Sequence, residues 1–130
     1  MDIINLIQKK YGNSCQLRSP LNKRQYNTAK KFIPTELLEI LKISNGINLL
    51  KVNPDTKKIK VIGRIIYSLA EIRSLTSCYL YECGGEGVVF AGNREVDFVL
   101  KPDGKIYTYD YFSLSEKYYA ESLSDYFNKF

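Results

Sequence analysis

The apolar and polar positions before residue 47 follow a helical period. In DIINLIQKKYG the residues Ile3, Leu6 and Ile7 fall on one face, and Asp2 and Gly12 suit its two ends. IPTELLEILKISNG has the same spacing, with a proline at its start and an Asn-Gly pair that predicts a left-handed end. Between these two segments, the Ser-Pro pair of SPLNKRQYNTAKKF predicts a helix start at Ser19 and Pro20. The pattern therefore predicts three helices.

The period changes to two at Ile47. INLLKV and KIKVIGRII are rich in β-branched residues and flank NPDTK, which predicts a hairpin. SLAEIRSL follows, with Ser68 and Glu71 at the spacing of a capping box, and predicts a fourth helix. TSCYLYECGGEG has no clear period and ends in glycines, so we interpret it as a loop with at most a short strand.

EGVVFAGNREVDFVLKPDGKIYTYD predicts three strands joined by two tight turns. Gly92-Asn93 suits a two-residue hairpin turn, and KPDGK suits a type I turn in which Gly104 takes a positive φ. Alternation in VDFVLK predicts a strand with one buried face. The next strand places its tyrosines on one face, where we interpret them as packing beneath a helix: Tyr107, Tyr109 and Tyr111. The predicted fold is one α+β domain over residues 1–130, a mostly antiparallel sheet with flanking helices.

The last predicted helix has an S-x-x-D cap. Ser122 and Asp125 provide it, and Leu123, Phe127 and Phe130 share one stripe of the helix that follows.

The amino-acid composition limits the catalytic, metal-binding and membrane functions that the chain can be expected to have. The chain has no histidine, so it lacks the commonest general base and the commonest transition-metal ligand. Its 3 cysteines have no C-x-x-C spacing, which favours reduced thiols and a cytoplasmic protein. No apolar run is long enough to cross a bilayer, and the first residues lack the order of a secretory signal. We therefore expect no catalytic, cofactor or metal site and no membrane partner.

Charge is distributed unevenly along the chain. Residues 1–65 hold 13 Lys/Arg and 4 Asp/Glu, whereas residues 66–130 hold 6 and 10, within a net charge of +5. The acidic residues suit either a solvated surface or a face for a basic protein. The basic residues suit a solvated surface first and an acidic protein second. Nucleic acid is the weakest alternative, because lysine outnumbers arginine 14 to 5 and the helix lysine pairs are spread around their faces.

The order of motifs resembles that of the SUKH superfamily. IPTELLEILKISNG, IIYSLAEI, the VDFVLKPDGKIYTYD meander and AESLSDYF occur in the family's order over residues 33–130. The first 30 residues match only in being helical. The acid usual in the family's second helix is absent, and Tyr26 and Asn27 stand near its place.

The resemblance implies a non-enzymatic binding domain. Bacterial SUKH proteins act as immunity proteins that bind and neutralise a cognate polymorphic or contact-dependent toxin, whereas eukaryotic relatives act as regulatory proteins. We therefore expect an immunity protein that occludes its toxin stoichiometrically, with a constitutive adaptor of a host protein as the alternative. The predicted partner contacts combine tyrosines, acidic residues and a turn: Tyr79, Tyr81, Glu82, Glu86, Asn93, Arg94 and Asp97.

Overall fold

The computed structural model of the chain describes residues 3–83, 85–93 and 95–129. These residues form helices around one seven-stranded sheet, so the α+β prediction is confirmed. The helices are α1 (Ile3–Tyr11), α2 (Lys23–Ala29), α3 (Thr35–Ile43), α4 (Leu69–Cys83) and α5 (Leu123–Lys129). The strands are β1 (Cys15–Leu17), β2 (Ile47–Val52), β3 (Ile59–Ile66), β4 (Val88–Gly92), β5 (Asp97–Leu100), β6 (Ile106–Asp110) and β7 (Ser115–Ala120).

Each strand of the sheet pairs antiparallel with the strand before it, in the order β1 to β7. The pairing of β3 with β4 differs from the rest, because among the described residues it is confined to Arg64 opposite Gly92. β1 reaches only as far as Leu49 of β2. The outer part of the β2–β3 hairpin therefore extends past the strands on either side. We name residues Leu50–Val61 the arm.

A hydrophobic core lies on each face of the sheet. The larger one packs α1, α3, α5 and the first turn of α4 against the sheet, and Tyr126 of α5 contacts Phe90 and Phe98 there. The smaller one lies beneath α4 and joins Tyr79 to Tyr109, which confirms that a strand tyrosine packs under a helix. Because both faces of β5 are covered, all four of its residues are buried, and the expectation of a single buried face is wrong.

Local side-chain hydrogen bonds cap the amino ends of α2, α4 and α5. The capping box at α4 is confirmed, since the Ser68 amide donates to Glu71 Oε1 (3.2 Å) and the Glu71 amide donates to Ser68 Oγ (3.3 Å). The predicted start of α2 at Ser19 and Pro20 is wrong. Asn22 caps this helix instead, and the Ser19 carbonyl accepts the Asn45 amide at 3.0 Å.

The cap of the last helix is also confirmed. The Asp125 amide donates to Ser122 Oγ at 3.1 Å, and Leu123 and Phe127 are both buried in the larger core. Asp2, expected to cap the first helix, and Phe130 lie outside the described residues.

Two connections differ from their predictions. The stretch interpreted as a loop forms the second half of α4 from Thr76 to Cys83, and of its described residues only Gly85 to Gly87 are irregular as expected. The Val89 amide joins this part of α4 to β4 by donating to Thr76 Oγ1 at 3.0 Å. The connection from β4 to β5 has four residues, because Gly92 lies opposite Asp97 and the Asn93 amide donates to the Val96 carbonyl. A two-residue turn at Gly92-Asn93 is therefore wrong. The turn before β6 is as predicted, with Gly104 at φ +87°.

Candidate functional site

The residues predicted to contact a partner do not form one surface. Tyr81 (91% exposed), Glu82 and Glu86 lie at the carboxyl end of α4 and in the segment that follows it. Asn93 is exposed at the far end of β4, a strand about 17 Å long at ~3.3 Å per residue. Arg94 lies outside the described residues. The structure therefore groups three of the predicted contacts and separates Asn93 from them.

Two of the predicted contacts lie inside the protein. Tyr79 has no exposed surface and Asp97 is only 4% exposed, so neither is presented to a partner in this structure. Tyr79 was expected in a loop, but it lies on the inner side of α4. Asp97 was expected on an outward strand position, but α4 and its flanking tyrosines cover that face of β5.

Buried Tyr79 holds an ion pair at the edge of the sheet. The Lys101 ammonium lies 3.0 Å from Glu116 Oε2, and the Tyr79 hydroxyl donates to the same carboxylate. The ammonium also donates to the Tyr79 hydroxyl oxygen. Both side chains of the ion pair are largely buried, at 18% and 23% exposure, where charge-assisted hydrogen bonds are stronger than at an open surface. Lys101 and Glu116 are therefore fixed in place.

The same set of contacts holds the last turns of α4 on the sheet. The Tyr109 hydroxyl donates to Glu82 Oε2 at 3.0 Å. The Tyr109 ring meets the Tyr79 ring edge to face, with centroids 5.1 Å apart, a favourable geometry for an aromatic pair. Glu82 is exposed yet anchored, because one of its oxygens is already bonded to the fold.

A shallow depression of about 570 Å³ opens beside this network. Three carboxylates and one ammonium line it, together with a proline and a tyrosine: Glu86, Lys101, Pro102, Asp103, Tyr107 and Glu116. Exposed Glu82 adds a further negative charge near the network. We name this surface the acidic end, comprising Tyr81, Glu82, Glu86, Asp103 and Glu116. It combines excess negative charge with an exposed aromatic ring, which are the features that suit contact with a basic protein.

A second polar network lies in the interior, between the acidic end and the arm. Asp97 accepts hydrogen bonds from the hydroxyls of Tyr67 (2.6 Å) and Tyr111 (2.5 Å), one on each carboxylate oxygen. Burial raises the pKa of the Asp97 carboxyl, although these two hydrogen bonds act in the opposite direction. Burial and the bond to Asp97 raise the pKa of both tyrosine hydroxyls. Because both carboxylate oxygens are occupied, this network serves to tie β3, β5 and the end of β6 together.

Gly92 is essential to the geometry of the interior network. A Cβ atom at this position would lie 2.1 Å from the Tyr67 hydroxyl and 2.4 Å from Asp97 Oδ1. The hydrogen bond between these two side chains therefore needs a residue without a side chain on β4.

Lys101, Glu116 and Tyr107 were not among the predicted site residues. The alternation of VDFVLK places Lys101 on the same strand face as Val99, and this spacing was a signal for its position on that face. Glu116 carried no such signal, because β7 was not predicted as a strand.

A metal site and a membrane-spanning helix each place requirements on the described residues. Residues 3–83, 85–93 and 95–129 contain no group of three His, Cys, Asp or Glu placed to hold a metal ion. Among these same residues, no helix is both long and apolar enough to span a bilayer.

Comparisons of the chain with protein-family models, with curated proteins and with solved structures found no match. The SUKH resemblance therefore depends on the order of its motifs in the sequence, and membership of that superfamily stays a prediction.

Proposed function

We propose that the protein is an immunity protein of the SUKH type, which binds a toxin protein through the acidic end and blocks its active cleft. The motif order over residues 33–130 supports the SUKH assignment. The observation that carries the binding surface is the network in which buried Tyr79 and Tyr109 hold Glu116 and Glu82 at fixed positions.

Preorganisation is what makes this surface suitable for tight binding. Neutralising a few toxin molecules requires a dissociation constant near nanomolar, or about −12 kcal/mol. Area alone does not give such affinity, because each flexible side chain that becomes ordered costs about 0.5–1.5 kcal/mol. At the acidic end, Lys101 and Glu116 are already ordered by the fold, so binding orders fewer groups.

The charge of the surface indicates the class of toxin. Nuclease toxin domains are basic because their substrate is a polyanion, and a negative surface accelerates encounter with such a protein. Tyr81 supplies the exposed ring that anchors many protein interfaces. The partner we propose is therefore a basic toxin domain, contacted by Tyr81 and the carboxylates around the depression.

Co-expression with the product of the neighbouring gene tests the proposal. Growth of cells carrying both genes is compared with growth on the neighbouring gene alone, and any complex is purified and its stoichiometry measured. Rescue with a one-to-one complex is the expected result. A harmless neighbour, or lethality without rescue, would contradict immunity and favour the adaptor alternative.

A matched pair of variants locates the surface. Tyr81→Ala with Glu86→Lys removes one exposed ring and reverses one exposed carboxylate at the acidic end. Phe112→Ala with Glu39→Lys makes the same two changes elsewhere, at a fully exposed ring and an exposed carboxylate of α3. We expect rescue to weaken only with the first pair. Equal rescue by both would place the toxin on another surface.

A further inference from the structure

Among residues 3–83, 85–93 and 95–129, the outer edge of the arm has no strand partner. Its two strands pair with each other through Val52 opposite Ile59 and Leu50 opposite Val61. On the outer side of β3, within the part of the chain that the structure describes, Ile59 to Val61 have no paired residue. An unpaired strand edge is a template for adding another strand.

The tip of the arm is well ordered by its own hydrogen bonds. Asn53 Oδ1 accepts the amides of Asp55 (2.9 Å) and Thr56 (3.2 Å), and the Asn53 amide donates to the Lys58 carbonyl at 2.9 Å. These bonds join residues of the tip to one another and hold the two strands in register. The free edge of β3 is therefore presented in an extended conformation.

One face of the arm is apolar and exposed. Val52 is 50% exposed, Ile59 is 65% exposed and Val61 is 40% exposed. Paired residues and alternate residues share a face of a hairpin, so these three lie together. Lysine on an edge strand is a common protection against aggregation, but such protection does not explain why β-branched residues are left exposed beside it.

The opposite face of the arm is basic. Lys51 lies directly opposite Lys60 in the register, an arrangement in which like charges repel. A groove of about 970 Å³ runs from Lys51, Lys58 and Lys60 past Ile62 to Asn93 and Glu95. Its lining also includes Asp55, so three lysines face two carboxylates there. The groove follows the side of β3 on which the pairing with β4 stops. A strand added to this side of β3 would direct alternate side chains towards the groove, and acidic side chains there would relieve the repulsion.

We propose that the arm binds an extended acidic segment of a second protein, which adds a strand to β3 and places carboxylates against Lys51, Lys58 and Lys60. The added strand would bond to the free edge of β3, and its apolar side chains would cover Val52, Ile59 and Val61. This inference does not depend on the proposed immunity function, because it concerns the opposite end of the sheet.

The chemistry of the arm favours a polypeptide over nucleic acid. Residues 51–60 contain four lysines but neither an arginine nor an aromatic residue, so they lack the groups on which the bases of a single strand stack. A second copy of this chain is also disfavoured at this edge. Two arms would bring like charges together, and β7, the far edge strand, carries one glutamate already paired with Lys101 and one lysine.

Selection from a random dodecapeptide library on the full-length protein tests this proposal. We expect selected peptides to alternate Asp or Glu with β-branched residues. We also expect hydrogen exchange to show that they protect the amides of Ile59–Val61. Reversing Lys51, Lys58 and Lys60 to Glu should weaken binding at least about tenfold. The matched control reverses Lys23, Lys30 and Lys31, three exposed lysines at α2.

Several results would overturn the proposal. These are a selection that enriches no sequence, peptides rich in lysine or proline, protection outside the arm, and equal binding by the two triple variants. Tight binding of a single-stranded oligonucleotide that the arm variant alone loses would assign the lysines to phosphate. Concentration-dependent self-association that the arm variant alone loses would assign the edge to a second copy. Either of these last two results would replace the peptide proposal.

Discussion

The acidic end and the arm are built in opposite ways. At the acidic end, buried tyrosines and a largely buried ion pair fix Glu82, Glu116 and Lys101. In the arm, charged side chains are exposed, and the order comes from backbone pairing and the bonds of one turn. Binding at the acidic end would use groups that are already placed, whereas binding at the arm would use a backbone edge and require side chains to become ordered.

One small domain thus presents a surface of preordered side chains and a surface formed by a backbone edge. Preordered groups give affinity for one shape, because little freedom is lost on binding. A backbone edge accepts many sequences, because its hydrogen bonds do not depend on the partner's side chains. We therefore expect narrower specificity at the acidic end than at the arm, where the lysines and the exposed apolar face select for a composition and the backbone edge accepts many sequences of that composition.

The largest effect is expected at the junction where the arm meets the main sheet. Gly92→Ala places a Cβ atom inside the hydrogen bond between Tyr67 and Asp97, at 2.1 Å and 2.4 Å from their oxygens. We expect the free energy of unfolding to fall by about 3 kcal/mol or more, as measured by urea denaturation. This change would disturb both regions at once, because β3 and β4 are paired at Gly92.

Gly63→Ala is the matched control for the junction. Its added Cβ would meet the Gly92 carbonyl oxygen at 3.4 Å, an ordinary contact distance. We expect it to cost less than about 1 kcal/mol. Similar losses for the two variants would contradict the role assigned to the interior network.

The second effect separates the two regions. Tyr79→Phe removes the hydroxyl that joins Glu116 and Lys101, which leaves largely buried charges with fewer hydrogen bonds. We expect the global free energy of unfolding to fall by about 1–3 kcal/mol in urea denaturation.

Asn53→Ala removes the acceptor at the tip of the arm, and hydrogen exchange should then speed up in the arm alone. If Asn53→Ala lowered the global free energy of unfolding instead, the arm would not open independently of the rest of the domain.

A smaller effect depends on pH and on Asp97. The pKa of this carboxyl is raised by burial above its value of about 3.9 in an unfolded chain, so the folded protein binds the proton more tightly. Stability gained from that proton is therefore lost as pH rises from about 4 through the raised pKa. Asp97→Asn lacks this titration. We expect wild type to lose stability relative to the variant over this window in urea titrations, and a constant difference would contradict the raised pKa.

The smallest effect is expected at Lys57, whose φ of +61° is unfavourable for a residue with a side chain. Lys57→Gly should stabilise the protein by about 0.5 kcal/mol, because the relief of strain exceeds the extra freedom of glycine in the unfolded state. Thermal unfolding checks this, with Gly104→Ala at φ +87° as the opposite change, expected to destabilise. A loss of stability on Lys57→Gly would show that the lysine side chain contributes to the turn.

Local signals predicted the elements whose ends are closed by neighbouring residues. The Ser68–Glu71 box, the Ser122 cap and the β2–β3 turn all consist of groups within a few residues of one another, so their spacing is visible in the sequence. The second half of α4 was missed because its inward face is defined by distant strands. Tyr79 meets Lys101 and Glu116, which are far away in the chain.

The candidate site was less predictable for the same reason. Tyr79 and Tyr81 are the same residue type two positions apart, so the sequence alone does not distinguish them. The helix places Tyr79 in the core and Tyr81 in solvent. The alternation along β5 predicts that Asp97 faces outward, but α4 covers that second face of the strand. Side-chain chemistry was visible in the sequence, but its exposure depended on which layers cover the sheet.

The sequential order of the strands has a consequence for how the protein is made. Each strand pairs with the one synthesised just before it, so a chain leaving the ribosome can extend its sheet without waiting for later segments. The contact between α1 and α5 forms last, because the ammonium of Lys10 donates to the carbonyl of Asn128 (2.8 Å), which is synthesised much later. Folding can thus keep pace with translation until this final contact joins the first described helix to the last.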